Sequence, residues 1–415
     1  MSLFCHRIEV KSVQTAGIII EYNPMHDGHL YLLEQVRAQL GADTAFVGVM
    51  SGNFVQRGDF ALLRKHARAR AAVESGVDLV LELPLPWAVA SAERFARGGV
   101  EILSATGVVT HLAFGSECGD AAALERLAEA LHCEAFPALL RRELERGDSF
   151  PAARQRALAQ LTSPKDAALL SDPNNILGVE YCKALLQKKS AIRPLTVRRA
   201  GTPYHGTDLV GAQPSATLLR TLLRSGERDR ALALMPPVVR RVYEAEEAAG
   251  RAPVFRENAE RAMLARLRSM TEADFARLDE GREGLYRRLY ETSRSACSIE
   301  ALLDETKTRR YARTRLSRMV LWAYLGLEPA AFPRQVPYLR VLAANGRGRE
   351  LLGRMRKCAG LPILTKPADV RELPPVAGEL FRQEVRATDL YTLAYPDLFA
   401  AAGGTEWREG PVILP

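Results

Sequence analysis

The segment Glu21-Tyr22-Asn23-Pro24-Met25-His26-Asp27-Gly28-His29 sets two histidines three residues apart around a glycine, the pattern H-x-G-H. It follows an apolar run, residues 16–21 (AGIIIE), and opens a stretch of helical periodicity over residues 30–40. At a strand-to-helix turn, these residue types suit chemistry on a phosphate. The first turn of a helix offers unsatisfied N–H groups and the positive end of the dipole. Gly28 has no side chain to hold a nucleotide away from the backbone. The imidazoles of His26 and His29 can donate to phosphate oxygens as charge builds at phosphorus in an in-line displacement. The plainer alternative is a histidine pair that caps the helix or packs in the loop. Zinc fits less well, because no third ligand cluster accompanies the pair.

Other candidate groups lie where the same sheet edge would bring them. The 50–59 loop, MSGNFVQRGD, is long for a β–α connection and carries Arg57. The helix after it offers Lys65 and Arg68 about one turn apart, or else a solvated basic face. The run HLAFG ends in Gly115, where an adenine or ribose could approach the chain, or where the chain simply turns. Asn174 and Asn175 follow Pro173 before a helix and read as a cap or a ligand contact. Ser215 and Thr217 at a helix start, with Arg220 about one turn later, make either a phosphate clamp or a capped helix with a surface arginine.

The elements that must position these groups are legible as four apolar runs, residues 16–21, 44–50, 77–83 and 111–115, separated by helical patterns. Strands with little in–out alternation between helices imply a parallel sheet covered on both faces, an α/β doubly wound domain. Ligands then bind outside the C-terminal strand ends. One more strand is expected at residues 192–199, and a mainly α-helical pattern beyond about 226. The expected division is 1–225 and 226–415, with no Pro/Gly/Ser linker marking it. No apolar run reaches the roughly 18–20 residues of a membrane span. Six cysteines (Cys5, Cys118, Cys133, Cys182, Cys297, Cys358) form no C-x-x-C pair, which fits a reducing cytoplasm. The 415 residues carry a net charge of +8, a mild pointer to a polyanionic partner. The excess is local: Lys307 to Lys357 holds 13 basic and two acidic residues. Lys307, Arg309, Arg310, Arg313 and Arg315, with Tyr311 for stacking, are therefore the expected contacts of such a polyanion, against a solvated or internally paired face.

H-x-G-H after the first strand, with S-x-T-x-x-R at a later helix start, resembles the HIGH-type nucleotidyltransferase superfamily. The runs GIIIEYNPMHDGHLYLL, VMSGNFVQRGDFALLRKHARA, GVDLVLELPLPWAVASAERFARGGV, LAFGSECGD and PNNILGVEYCKAL are more closely similar to the tRNA(Met) cytidine acetate ligase family, as are KTRRYARTRLSRMVLWAYLGL and PYLRVLAANGRGRELL. The resemblance runs from about residue 16 to about residue 367. It departs at Met25, where Phe is usual, at Asp27, where Asn is common, and at Gln213-Pro214 before the serine.

The resemblance implies a Rossmann-like nucleotidyltransferase domain followed by a mainly helical domain. It implies activation of acetate by ATP to acetyl-adenylate, then acetyl transfer to N4 of the wobble cytidine of elongator tRNA(Met). By residue match, ATP would contact Ile19, Ile20, Glu21, Tyr22, Asn23, Pro24, Met25, His26, Asp27, Gly28, His29, Leu30, Tyr31 and Leu32, with Gly115, Asn174 and Arg199. Ser215, Thr217 and Arg220 match further ATP-site positions, and Lys65 and Arg68 join His26 and His29 as expected catalytic groups. Magnesium is expected as the counter-ion of ATP, with no metal site of the protein's own. The partners are tRNA and acetate; the oligomeric state stays open. A small-molecule adenylyltransferase and a non-catalytic RNA-binding protein are the competing readings.

Overall fold

The structure, a computed structural model, describes residues 14–147, 149–199, 214–278, 280–281, 284–308 and 311–415. The apolar runs fold as expected into β1 (Thr15–Ile20), β2 (Ala45–Ser51), β5 (Leu79–Leu83), β6 (His111–Ser116) and β7 (Arg193–Arg198). Between β2 and β5 lies a short antiparallel hairpin, β3 (Phe54–Val55) with β4 (Asp59–Phe60). Helices α1 (Asp27–Leu40), α2 (Lys65–Glu74), α3 (Leu85–Ala88) and α4 (Ala92–Ala105) fill the intervening connections.

The strands alternate between two cores, which is why their sequences lack an in–out pattern. Val47, Val49, Leu79, Leu81 and Leu112 pack with Phe95 and Ile102 of α4 and with helix Pro173–Lys188. Ala16, Ile18, Phe46, Met50 and Val80 pack on the other face with Leu33 and Val36 of α1 and with α2. Burying both faces of each strand is what a parallel sheet under helices requires.

Three strands from the mainly helical half complete the sheet. β8 (Leu339–Ala344) lies antiparallel against β5, with β9 (Ile363–Leu364) and β10 (Val412–Ile413) parallel to β8. The sheet order is β10-β8-β5-β2-β1-β6-β7, with β9 paired to β8 off this path. β1 therefore has β2 on one side and β6 on the other, and the loops leaving β1 and β6 diverge there. That is the switch point at which doubly wound sheets open a crevice.

A third core is helical and joins the halves. Met263, Leu289, Leu316, Trp322 and Tyr391 enclose Phe54 and Phe60 of the hairpin. Phe54 and Phe60 meet edge to face at 4.9 Å, and Phe60 stacks on Tyr391 at 5.9 Å. Gly58 sits at φ +78°, where a Cβ would come within 2.4 Å of the Arg318 backbone nitrogen, so only glycine fits that turn. Among the described residues, no helix is long and apolar enough to cross a membrane.

Candidate active site

The chain leaves β1 at Ile20 and turns through six residues into α1. Tyr22 takes the left-handed conformation (φ +46°), is buried, and sets its ring 4.8 Å from that of His29. The turn is held from two sides. Asn23 Oδ1 accepts the Leu62 N–H at 2.7 Å, and the Asn23 carbonyl accepts from Arg220 Nη1 at 2.6 Å. Met25 is buried in the core, so an apolar side chain there satisfies the position that carries Phe in the family pattern. Asp27 points to solvent in the first turn of α1.

His26 and His29 build a reciprocal cap. His26 Nδ1 accepts the Gly28 N–H at 3.1 Å, and His29 Nδ1 accepts the His26 N–H at 3.2 Å. Ser or Thr paired with Glu or Gln usually makes this arrangement. Here two imidazoles make it, with ring centres 3.8 Å apart. Because each Nδ1 accepts, each ring is neutral and carries its proton on Nε2. Electrostatics agree. Burial lowers the His26 pKa to about 4, with the Arg199 charge adding to the effect. Burial, then His26 and Arg199, hold His29 well below the usual histidine range. Capping and phosphate recognition are therefore compatible, since the cap occupies Nδ1 and leaves Nε2–H.

The β6 loop faces this turn across the switch point. A Cβ on Gly115 would lie 3.3 Å from Arg199 Cγ, so the glycine leaves room for that side chain beside the histidines. Asn174 and Asn175 do more than cap. Glu117 spans the N-terminus of helix Pro173–Lys188, accepting from Asn174 Nδ2 at 2.6 Å and from the Asn175 N–H at 2.8 Å. Asn175 Oδ1 returns the contact, accepting the N–H groups of Glu117 (3.0 Å) and Cys118 (3.1 Å). Ser215 caps helix Ala216–Arg224 by accepting the Leu218 N–H at 3.2 Å, and Thr217 is exposed one turn from Arg220. Ile19 packs on Gly99 and Ile20 on Gly48, while Leu30, Tyr31 and Leu32 lie against the core of the α1 face, so these five shape the turn from below.

Lys65 and Arg68 occupy a different place from the one expected. Each is 1% exposed. Lys65 Nζ lies between Glu82 Oε1 (2.7 Å) and Glu406 Oε1 (2.5 Å), inside the protein. The Arg68 guanidinium is consumed by the carbonyls of Leu63 (3.0 Å), Glu21 (2.5 Å), Ser51 (2.9 Å) and Gly52. These cations hold the loops after β1 and β2, and neither presents its charge to the crevice. Glu21, between those loops, accepts the Gln56 N–H at 2.7 Å, and burial raises its pKa despite Arg68, Arg57 and Arg220 nearby.

The groups that the sequence reading missed are the partners of Lys65. Glu82 is the lone charge in β5, LVLEL, and Arg340 the lone charge in YLRVLAA. The antiparallel register pairs Leu81 with Val341, which sets Glu82 opposite Arg340 at 3.0 Å. A single charge inside an apolar strand has to find a partner, and that was the available signal.

Part of the basic stretch is also paired internally. Arg313 binds Glu300 and Asp304, Arg315 donates to the Glu280 carbonyl, Arg318 is buried on the Glu280 carboxylate, and Arg340 belongs to the buried cluster. Lys307 is exposed, and Arg309 and Arg310 lie outside the described residues. Helix Gly346–Cys358 instead exposes Arg349, Arg354, Arg356 and Lys357. Among the described residues, no group of three or more His, Cys, Asp or Glu side chains is arranged to hold a metal ion.

Comparison with known proteins places this geometry. The HIGH nucleotidyl transferase family model matches residues 13–405. A tRNA(Met) cytidine acetate ligase of Acetivibrio thermocellus is 37% identical over 416 residues, covering 97% of this chain and 100% of that protein. The protein of the same name from Caldicellulosiruptor saccharolyticus is 38% identical over 411 residues, covering 97% and 99%. The crystal structure of Thermotoga maritima TmcAL without ligand superposes with a TM-score of 0.92 at 34% identity, covering 97% of this chain and 100% of that one. Its form bound with alpha-thio ATP gives 0.90 at 33% identity over the same shares. With identity and fold shared from end to end, the chain belongs to the tRNA(Met) cytidine acetate ligase family of HIGH nucleotidyltransferases.

Proposed function

We propose that the protein is an ATP-dependent ligase that acetylates N4 of the wobble cytidine of elongator tRNA(Met). The observation that carries this reading is the His26–His29 cap at the N-terminus of α1, beside the switch-point crevice. In the first step an acetate oxygen attacks the α-phosphorus of ATP, and pyrophosphate leaves. Negative charge grows on the phosphate oxygens, and two neutral Nε2–H donors at a helix N-terminus stabilise it without first losing a proton. In the second step cytidine N4 attacks the acetyl carbonyl, loses a proton, and releases AMP carrying the former acetate oxygen. The wobble base must leave the anticodon stack to reach the anhydride.

The nucleotide is assigned to the turn after β1 and the C-terminal ends of β6 and β7, with His26, Gly28, His29, Gly115, Asn174 and Arg199 as its contacts. The Thermotoga maritima relative, crystallised with alpha-thio ATP, supports a nucleotide as the ligand of this fold. Magnesium enters as the counter-ion of ATP. Arg68 and Lys65 act by holding loops, and Arg220 by holding the Asn23 carbonyl. The RNA is assigned to the basic surface of the C-terminal half, with Lys307 and the exposed face of helix Gly346–Cys358 as its strongest points. The expected division at 225/226 is kept as the functional one, acyl activation before it and RNA holding after it. The work fits the cytoplasm, where ATP and tRNA meet. Incubation with ATP, labelled acetate and bulk tRNA tests the reading: label on cytidine supports it. AMP transfer to a metabolite without label in RNA supports a small-molecule adenylyltransferase instead, and RNA binding without ATP turnover a non-catalytic role.

A further inference from the structure

The 51–58 loop is held from the far end of the chain. Asn53, buried, accepts the Lys65 N–H on Oδ1 at 2.8 Å and donates from Nδ2 to Thr388 Oγ1 at 3.1 Å. Thr388 Oγ1 in turn donates to Glu406 Oε2 at 2.6 Å, and Glu406 Oε1 pairs with Lys65 Nζ at 2.5 Å. The circuit closes through two strands of sequence more than 300 residues apart. Its downstream end is Gln56, whose N–H fixes the Glu21 carboxylate at 2.7 Å beside the histidine turn. Gly52 shows how closely the loop is set, since a Cβ there would fall 2.7 Å from Glu82 Oε1.

We infer that Thr388 and Glu406 are positioning residues, which set the 51–58 loop and with it the side of the crevice that takes the acyl group and its RNA acceptor. This deepens the ligase reading and rests on it for the identity of the substrates. The nucleotide side is assigned to the turn after β1, the end of β6 and Arg199, so the β2 loop borders the remaining space on the other side of β1. Asn53, Lys65, Thr388 and Glu406 are all buried, and none is itself at the crevice. Their effect on turnover has to pass through the loop. Buried hydrogen-bond circuits of this kind specify one arrangement of the groups they join.

The test uses the full chain with Thr388→Val, which keeps the shape and deletes the hydroxyl, and Thr388→Ser, which restores it. Loss of the bridge raises the KM for acetate about tenfold while the KM for ATP moves less than about twofold, and Thr388→Ser returns both to the parent values. A merely structural role would move both constants together or lower only the melting temperature, and either result overturns the inference. A second readout does not depend on the substrates. Amide exchange at Gln56 quickens in Thr388→Val and is normal in Thr388→Ser, whereas unchanged protection in Thr388→Val overturns the inference even if the ligase reading fails.

Discussion

His29 accepts the backbone N–H of His26 on Nδ1 at 3.2 Å, so the bond that caps α1 is also the bond that fixes the tautomer of the second histidine. Cap and proposed phosphate donor are one structure. Replacing His26 by Asn keeps a side-chain acceptor for the Gly28 N–H, since Asn is a favoured N-cap, but removes an Nε2–H. His26→Asn should stay folded and lose about 100- to 1,000-fold in kcat for acetate-dependent AMP formation, as removal of one preorganised donor does elsewhere. Circular dichroism and steady-state kinetics on the same preparation check it.

The same burial makes stability pH-dependent. An unfolded His26 takes up a proton near pH 6.5, whereas the folded one refuses it until about 4. The unfolded state binds more protons in that window, so stability falls as pH drops through it, by at most about 1.4 kcal/mol per pH unit from this group. Denaturant titrations from pH 7 to pH 5 should show the fall, with a smaller slope in His26→Asn.

Lys65→Ala leaves the buried carboxylates of Glu82 and Glu406 with Arg340 as their sole cationic partner in the cluster. The expected cost is about 3–5 kcal/mol, the range for breaking one side of a buried ion pair. Arg313→Ala, at a partly exposed pair with Glu300 and Asp304, should cost less than about 1 kcal/mol. Equilibrium unfolding separates the two.

Asn175→Ala removes the acceptor for the Glu117 and Cys118 N–H groups and frees the β6 loop. We expect a loss of about 1–3 kcal/mol in stability and a raised KM for ATP, because Gly115 and Asn174 flank that clasp. Isothermal titration with a non-hydrolysable ATP analogue checks the second effect.

On the RNA side, Arg354→Glu with Lys357→Glu should weaken tRNA binding and shrink its salt slope by about one to two, since both side chains are exposed on helix Gly346–Cys358. Arg315→Glu should affect binding through folding, because its guanidinium is turned onto the Glu280 carbonyl. Filter binding at two salt concentrations distinguishes them.

The parallel strands and the histidine turn were legible because their causes are local. A strand buried on both faces is apolar throughout, and H-x-G-H needs only its own nine residues. Lys65 was misplaced for the opposite reason. Its partners stand 17 and 341 positions away, and an amphipathic-looking KHARAR gives no sign that the lysine faces inward. The charge excess between Lys307 and Lys357 overstated the exposed part of that surface, because Glu280, Glu300 and Asp304, which pair Arg318 and Arg313, lie outside the counted window. The late strand β8 was hidden by its setting in a helix-rich half, although LRVLAA is as apolar as β2 apart from Arg340.

The central claim is that acetate attacks the α-phosphorus of ATP beside His26 and His29. Turnover with acetate labelled by oxygen-18 in both carboxylate oxygens, ATP and tRNA measures it directly by mass spectrometry of the nucleotide released. One labelled oxygen is expected in AMP for each acetyl group on cytidine, with loss of that AMP in His29→Ala. Unlabelled AMP, or ADP with the label in inorganic phosphate, would contradict it.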